Sequence, residues 1–103
     1  MLLLGLSFTG CAKKMSPAQQ ESLYALGLKA DAENRDADAV RIFRELADQG
    51  HLGAQYMLGR AYRFRWGVPE RDFKEAIKWY TKSAEQGNRQ AQDELDQLKI
   101  GNW

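Results

Sequence analysis

The hydrophobic positions of this chain recur at the spacing of helices that bury one face. From residue 16 onward, apolar or small residues return at intervals of three and four, which is the pattern of an amphipathic α-helix. The successive stripes are Leu23, Leu26, Gly27 and Ala30; Ala39, Val40, Phe43, Leu46 and Ala47; Ala54, Leu58, Ala61 and Tyr62; Phe73, Ala76, Ile77, Tyr80 and Ala84, widened by Trp79; and Ala91, Leu95 and Leu98. The pattern predicts an all-α chain of five helices.

Residues at the helix ends support this division. Ser16-Pro17-Ala18-Gln19 has the serine, proline and glutamine of an N-terminal capping box. Asp72 and Glu75 have the same spacing before the fourth helix. Gly50 is predicted to end the second helix in a left-handed conformation. The third helix is expected over about 52–64 and the last over about 88–99.

Two segments of the chain repeat each other. Ala39 to Gly50 aligns with Ala76 to Gly87, 37 positions later, and Ala54-Gln55 returns as Ala91-Gln92 at the same offset. Tyr24-Ala-Leu-Gly27 returns as Tyr56-Met-Leu-Gly59 after 32 positions. A period of this length is typical of stacked-repeat proteins. The chain is therefore predicted to form two helix pairs and one further helix.

The second unit also carries a spaced signature that resembles the Sel-1-like repeat family, a relative of the tetratricopeptide repeats. The matching residues are Ala54, Leu58, Gly59, Tyr62, Gly67-Val68, Asp72, Ala76, Trp79-Tyr80, Ala84 and Gly87. The resemblance implies a short right-handed α-solenoid, with a degenerate unit at 16–50, a Sel-1-like repeat at 51–87, and a capping helix and tail at 88–103. Arg65 stands where the family usually has glycine, and arginine adopts a left-handed backbone only at a cost.

The beginning of the chain has a different character. Residues 1–10 carry no charge, are too short to span a bilayer, and resemble the apolar core of a signal peptide. The basic start that such signals carry is missing, which indicates either a truncated segment or a weak signal. Phe8-Thr9-Gly10-Cys11 resembles the cleavage box of bacterial lipoproteins, in which the cysteine is lipidated. Residues 11–15 would then be a tether. The alternative is that Cys11 is an incidental thiol.

If Cys11 is lipidated, the resemblance implies a protein anchored in the bacterial cell envelope and facing the periplasm. Ala12, rather than aspartate, follows the cysteine, which under the enteric sorting rule favours the outer membrane. The lipid would be the contact with the membrane.

Charge and motifs exclude several functions. The chain has 103 residues and a net charge of +1, so one small domain is expected and a general nucleic-acid binder is not. No phosphate-binding glycine loop, cysteine and histidine cluster or nucleophile motif is present in the sequence. We therefore expect no catalytic residues, no cofactor and no metal.

Two features that suggest chemistry have simpler interpretations. The acidic stretch from Asp31 to Asp38 lacks the glycine and late glutamate of a calcium loop, which favours a solvated turn with Asp36 near a helix start. His51 is the only histidine of the chain, and we expect it at the surface or as a helix cap.

The candidate binding residues lie on the first helix of each pair. Tyr56, Arg60 and Arg63 are spaced i, i+4 and i+7 and share one face. In tetratricopeptide-type stacks such helices line the concave surface, so the resemblance implies that Tyr24 and these three residues would face a partner protein. The alternative is an ordinary solvated face whose arginine stems cover apolar surface. Trp66 in the following loop is either a plug over the helix pair or an exposed anchor.

These expectations combine into a functional hypothesis with one alternative. The favoured function is a non-catalytic scaffold or adaptor that binds a segment of another protein on its concave face. The alternative is a structural or glycan-contacting envelope lipoprotein in which Trp66 and Trp103 stack on the sugars of peptidoglycan. Two pairs and a cap are fewer than the three repeats usually needed for stability, so weak self-association or stabilisation by a partner is also expected.

Overall fold

A computed structural model describes residues 14–101 and shows five α-helices in that range. They are α1 (Pro17–Ala32), α2 (Asp36–Asp48), α3 (Leu52–Phe64), α4 (Phe73–Glu85) and α5 (Arg89–Lys99). Each helix packs against the next along the chain, as in an α-solenoid of two pairs and a further helix. The predicted all-α repeat fold is confirmed. The proposed signal peptide at 1–10, the lipidation at Cys11 and the role of Trp103 concern residues outside the described range.

Side-chain caps fix the starts of the described helices except α2, whose N-cap Arg35 makes no capping bond. Ser16 Oγ accepts from the amide of Gln19 at 3.1 Å, and Gln19 Oε1 accepts from the amide of Ser16 at 2.9 Å, which confirms the first capping box. His51 caps α3, because its Nδ1 accepts from the amide of Ala54 at 3.0 Å. The capping prediction for His51 is confirmed.

The second capping box is only half formed. Asp72 Oδ1 accepts from the amide of Glu75 at 3.1 Å, as expected for an N-cap. The Glu75 carboxylate does not return the bond. It accepts instead from Trp79 Nε1 at 3.2 Å, which gives the buried indole nitrogen an acceptor.

The core follows the predicted stripes with two exceptions. The predicted residues of α2 and α5 are all buried, and so are Ala54, Leu58 and Ala61 of α3. Leu26 is 55% exposed and Ile77 is 38% exposed, so their predicted burial is wrong. Leu26 lines an open groove beside α1.

A polar chain joins the two units where the hydrophobic pattern predicted only apolar contact. Gln86 Nε2 donates to Gln55 Oε1 at 2.9 Å, and Gln55 Nε2 donates to the carbonyl of Ala47 at 3.2 Å. Ser83 Oγ donates to the carbonyl of Leu52 at 2.7 Å. Gln55 and Ser83 are buried, and these bonds satisfy polar groups that would otherwise cost free energy.

The loop between α3 and α4 packs back onto the first unit. Arg65 ends α3 in the left-handed conformation, with φ 61° and ψ 52°, although its side chain makes this conformation costly. Its Nε donates to the carbonyl of Pro69 at 3.1 Å. Gly67 has φ 70° and lies against the backbone of Asp36 at the start of α2. The loop thereby fixes the second unit to the first.

Candidate binding face

Helices α1, α3 and α5 contribute side chains to one surface, which we call the first-helix face and which includes Tyr24, Tyr56, Arg60, Arg63 and Glu94. Tyr24 of α1 and Tyr56 of α3 both pack against the same hydrophobic core cluster. Arg63 of α3 forms an ion pair with Glu94 of α5. The five helices therefore bring the predicted residues from separate units together.

Tyr24 lies partly inside the structure. Its ring centroid is 4.5 Å from that of His51 and 5.9 Å from that of Phe43. A side-chain carbon at Gly53 would come within 2.9 Å of its hydroxyl oxygen. Burial raises the pKa of Tyr24, and the nearby Glu21 carboxylate adds to the increase. Tyr24 thus packs at the junction of the two units and keeps only part of its ring for a partner.

Arg63 is occupied by contacts within the protein. The residue is 6% exposed, and its guanidinium donates to Glu94 and lies 5.0 Å from the centroid of the Phe64 ring. A buried arginine needs such an acceptor because an unpaired buried charge is strongly unfavourable. Arg63 therefore joins α3 to α5 through its ion pair with Glu94. Its charge is not exposed to a partner protein, although the sequence spacing suggested that it would be.

Arg60 is placed differently. Its guanidinium carbon lies 4.7 Å from the centroid of the Trp66 ring and 5.8 Å from that of Tyr56, distances at which a cation is attracted to an aromatic face. No residue in the part of the chain that the structure describes supplies an acceptor to its buried Nε, whereas the residue as a whole is only half-buried. The terminal Nη end of the guanidinium is therefore the part that reaches solvent.

Trp66 combines the two interpretations considered from the sequence. The ring is half-buried and packs against the apolar core, so it covers the helix pair. The guanidinium of Arg60 lies over the Trp66 ring, and the centroid of that ring is 5.4 Å from the centroid of the Phe64 ring. Phe64 itself is 41% exposed. We call Tyr56, Arg60, Trp66 and Phe64 the aromatic–arginine row.

Sequence reasoning missed Phe64 and Glu94 as parts of this surface. Phe64 lies four residues after Arg60 on the same helix, so the i, i+4 spacing was a signal that could have found it. Glu94 lies 31 positions after Arg63. No sequence pattern signals that ion pair, because it depends on how α5 is placed across α3.

A second open surface lies at the N-terminal end of the stack. A groove of about 790 Å³ runs between α1 and the end of α2, and its apolar lining includes Met15, Leu23 and Leu26. In a solenoid this is where a preceding helix would pack. The exposure of Leu26 follows, because no described helix covers that side of α1.

Residues 14–101 contain neither a metal-ligand cluster nor a membrane-spanning helix. In that range no three histidine, cysteine or acidic side chains come together as metal ligands would. In the acidic turn, Glu33 and Asp38 both form ion pairs with Arg35. None of the helices described there is long and apolar enough to cross a membrane.

Comparison with known families identifies the repeat. Residues 52–88 match the model of the Sel1 repeat, and this range begins at the first residue of α3 and ends at the residue that caps α5. The chain therefore contains a Sel-1-like repeat over these residues. Repeats of this family generally mediate protein–protein interactions and are typically non-catalytic. No curated protein and no solved structure matches the chain.

Proposed function

We propose that this protein is a scaffold or adaptor that binds a segment of a partner protein on its first-helix face, and that a lipid on Cys11 anchors it in the bacterial cell envelope. The observation that carries the binding proposal is the aromatic–arginine row. It combines an exposed phenylalanine with an arginine held between two aromatic rings. Aromatic and arginine side chains are the residues most enriched at the energetic centres of protein interfaces.

The row is also well ordered for binding. The guanidinium of Arg60 contacts the rings of both Tyr56 and Trp66. Its side chain therefore has little conformational entropy left to lose when a partner binds. Immobilising a long side chain typically costs about 0.5–1.5 kcal/mol on association. Prior ordering lowers that cost and favours binding.

A protein segment fits this surface better than a glycan does. Sugar binding by Trp66 would need an open ring face. The Trp66 ring already contacts the guanidinium of Arg60 and the ring of Phe64, and it also packs against the hydrophobic core. The structure therefore favours the scaffold over the glycan-contacting alternative for Trp66.

The binding proposal is tested by in-cell crosslinking and recovery of the complex from the envelope fraction. The variant is Arg60→Glu, because Arg63 is buried and reversing its charge would bury a second carboxylate beside Glu94. The matched control is Arg41→Glu, since Arg41 lies on α2 with a side chain 73% exposed and pairs with Asp38. We expect a partner band with the wild type and the control but not with Arg60→Glu, at equal thermal stability. Equal capture by all three would place the binding site elsewhere.

The anchoring proposal needs its own experiment. Cells expressing the wild type or Cys11→Ser are fed a labelled fatty acid, and the protein is recovered from membrane and soluble fractions. Label and membrane retention should both be lost in Cys11→Ser. An unlabelled wild type would contradict lipidation without affecting the binding proposal.

A further inference from the structure

Arg60 is exceptional among the arginines that are not exposed. Within residues 14–101, three arginines are buried or half-buried, namely Arg44, Arg60 and Arg63. Arg44 donates to the hydroxyl of Tyr62, and Arg63 donates to Glu94. The guanidinium of Arg60 lies instead over aromatic rings, and no residue of the described range 14–101 supplies an acceptor to its buried Nε.

Between residues 14 and 101 no carboxylate forms an ion pair with Arg60, so its charge is left without an acidic partner there. Ring faces attract a cation but accept no strong hydrogen bond from it. A guanidinium has five N–H donors in a planar fork, and partial burial removes some of the water that would otherwise serve them. An anionic acceptor brought by a ligand would therefore be bound more strongly here than at an arginine that already has its partner.

The direction of approach limits the geometry of the ligand. Nε is enclosed, so an acceptor can reach only the Nη end of Arg60. Two Nη groups in one plane match the two oxygens of a carboxylate, which they can hold through parallel hydrogen bonds. The rings of Tyr56 and Trp66 hold the guanidinium in place for this contact.

We infer that the partner segment presents a carboxylate to Arg60 and an apolar side chain to the neighbouring Phe64, a specificity that rests on the proposed function. The charge of Arg60 supplies the complementarity, and Phe64, exposed beside Trp66, supplies the apolar contact. The carboxylate belongs to an aspartate or glutamate side chain or to the C-terminus of the partner. The ligand is thus a peptide that carries a carboxylate close to an apolar side chain.

The inference is tested by affinity selection from two random peptide libraries, one with free C-termini and one with amidated C-termini. The bait is the full chain with Cys11 replaced by serine. Peptides selected by the wild-type surface should be enriched in aspartate or glutamate at least about tenfold over the input. Enrichment confined to the free C-terminal library, without acidic side chains, would assign the carboxylate to the C-terminus instead.

Variants identify the residue responsible. Arg60→Gln should abolish the acidic enrichment, whereas Arg41→Gln on the exposed surface of α2 should retain it. Arg60→Lys keeps the charge but loses the planar fork, so it should bind the selected peptides about tenfold more weakly while still preferring acidic ones. Arg60→Lys also tests the role of Arg60 if Arg60→Gln folds poorly.

The outcomes separate this inference from the proposed function. Acidic enrichment that persists in Arg60→Gln overturns the assignment to Arg60. Selection of peptides without carboxylates, lost in Arg60→Gln, overturns the carboxylate and leaves the binding face intact. If the wild type selects no peptide at all, both the specificity and the peptide-binding face are contradicted.

Discussion

Gly59 of α3 lies directly against the aromatic ring of Tyr80 of α4. A side-chain carbon built at Gly59 would be 2.7 Å from two ring carbons of Tyr80. The first unit repeats the contact, because a carbon at Gly27 would be 2.7 Å from the ring of Phe43. Gly27 and Gly59 are 32 positions apart, and Phe43 and Tyr80 are 37 positions apart. Each helix pair is therefore closed by the same glycine–aromatic contact.

Replacing Gly59 with alanine should destabilise the protein although alanine is the better helix former. Tyr80 is fully buried and has little room to move away from an added methyl group. Overpacking of a core typically costs about 1–3 kcal/mol, which exceeds the helix-propensity gain of about 1 kcal/mol. Urea unfolding of Gly59→Ala measures the difference.

A double-mutant cycle tests the cause. In a Tyr80→Leu background the ring is gone, so Gly59→Ala should become neutral or stabilising. The same loss of stability in both backgrounds would show that the contact with Tyr80 is not the reason.

Much of this architecture could be predicted from the sequence because both units carry the same signals. Gly27 and Gly59 each follow a tyrosine by three positions, and each aromatic partner lies in a matching segment. Burial at the edges could not be predicted in the same way. Leu26 and Ile77 satisfy the helical period, yet their exposure depends on how far the neighbouring helix extends over them.

Gly67 should be among the least replaceable residues of the second repeat. A side-chain carbon there would lie 2.3 Å from the carbonyl oxygen of Asp36, which is part of the backbone. The loop or the start of α2 would have to move. We expect Gly67→Ala to reduce the free energy of unfolding by about 3 kcal/mol or more, combining strain at positive φ with a steric clash.

Gly87→Ala is the matched control, since Gly87 has φ 99° but nothing within 4 Å of an added carbon. Gly87→Ala should lose only the free energy of placing a side chain at positive φ, roughly 1–2 kcal/mol. Thermal melts of both variants give the comparison. Equal losses in the two would mean that the contact between Gly67 and Asp36 contributes nothing.

Arg65→Gly should increase stability. Arg65 holds a left-handed conformation that costs a non-glycine residue roughly 1–2 kcal/mol. Glycine removes that strain, and the greater entropy of the unfolded glycine offsets part of the gain. A net gain of roughly 0.5–1 kcal/mol is expected, or a melting temperature about 4 °C higher.

Arg65→Ala serves as the control for loss of the arginine side chain. It removes the bond from Nε to the carbonyl of Pro69 but keeps the strained side-chain carbon, so it should not stabilise the protein. A gain of equal size in Arg65→Ala would point to the arginine side chain, and not the backbone, as the source of the effect.

The candidate binding face was less predictable than the fold. Helical spacing placed Tyr56, Arg60 and Arg63 together, but it could not separate an arginine with an acceptor from one without. That distinction arises from α5, which brings Glu94 to Arg63, and from the loop, which places Trp66 under Arg60. Both depend on tertiary packing, whereas a helical period describes only one element at a time.

Stability should fall in alkaline solution, and Tyr80 should be a main cause. Burial, reinforced by the Glu94 carboxylate, raises the pKa of Tyr80 well above its usual value of 10.0. Above pH 10 the unfolded chain releases this proton while the folded protein keeps it, so the free energy of unfolding decreases by up to about 1.4 kcal/mol per pH unit for the group. Below pH 10 its contribution to stability is fully present.

The alkaline loss is measured by urea unfolding from pH 8 to pH 11.5 in the wild type and in Tyr80→Phe. The phenylalanine variant has no proton to release, so its stability should decline less steeply above pH 10. Tyr24→Phe is the comparison, because burial also raises the pKa of Tyr24, and removing both hydroxyls should flatten the profile further. A Tyr80→Phe profile parallel to that of the wild type would show that the folded protein ionises Tyr80 as readily as the unfolded chain does, which would contradict the prediction.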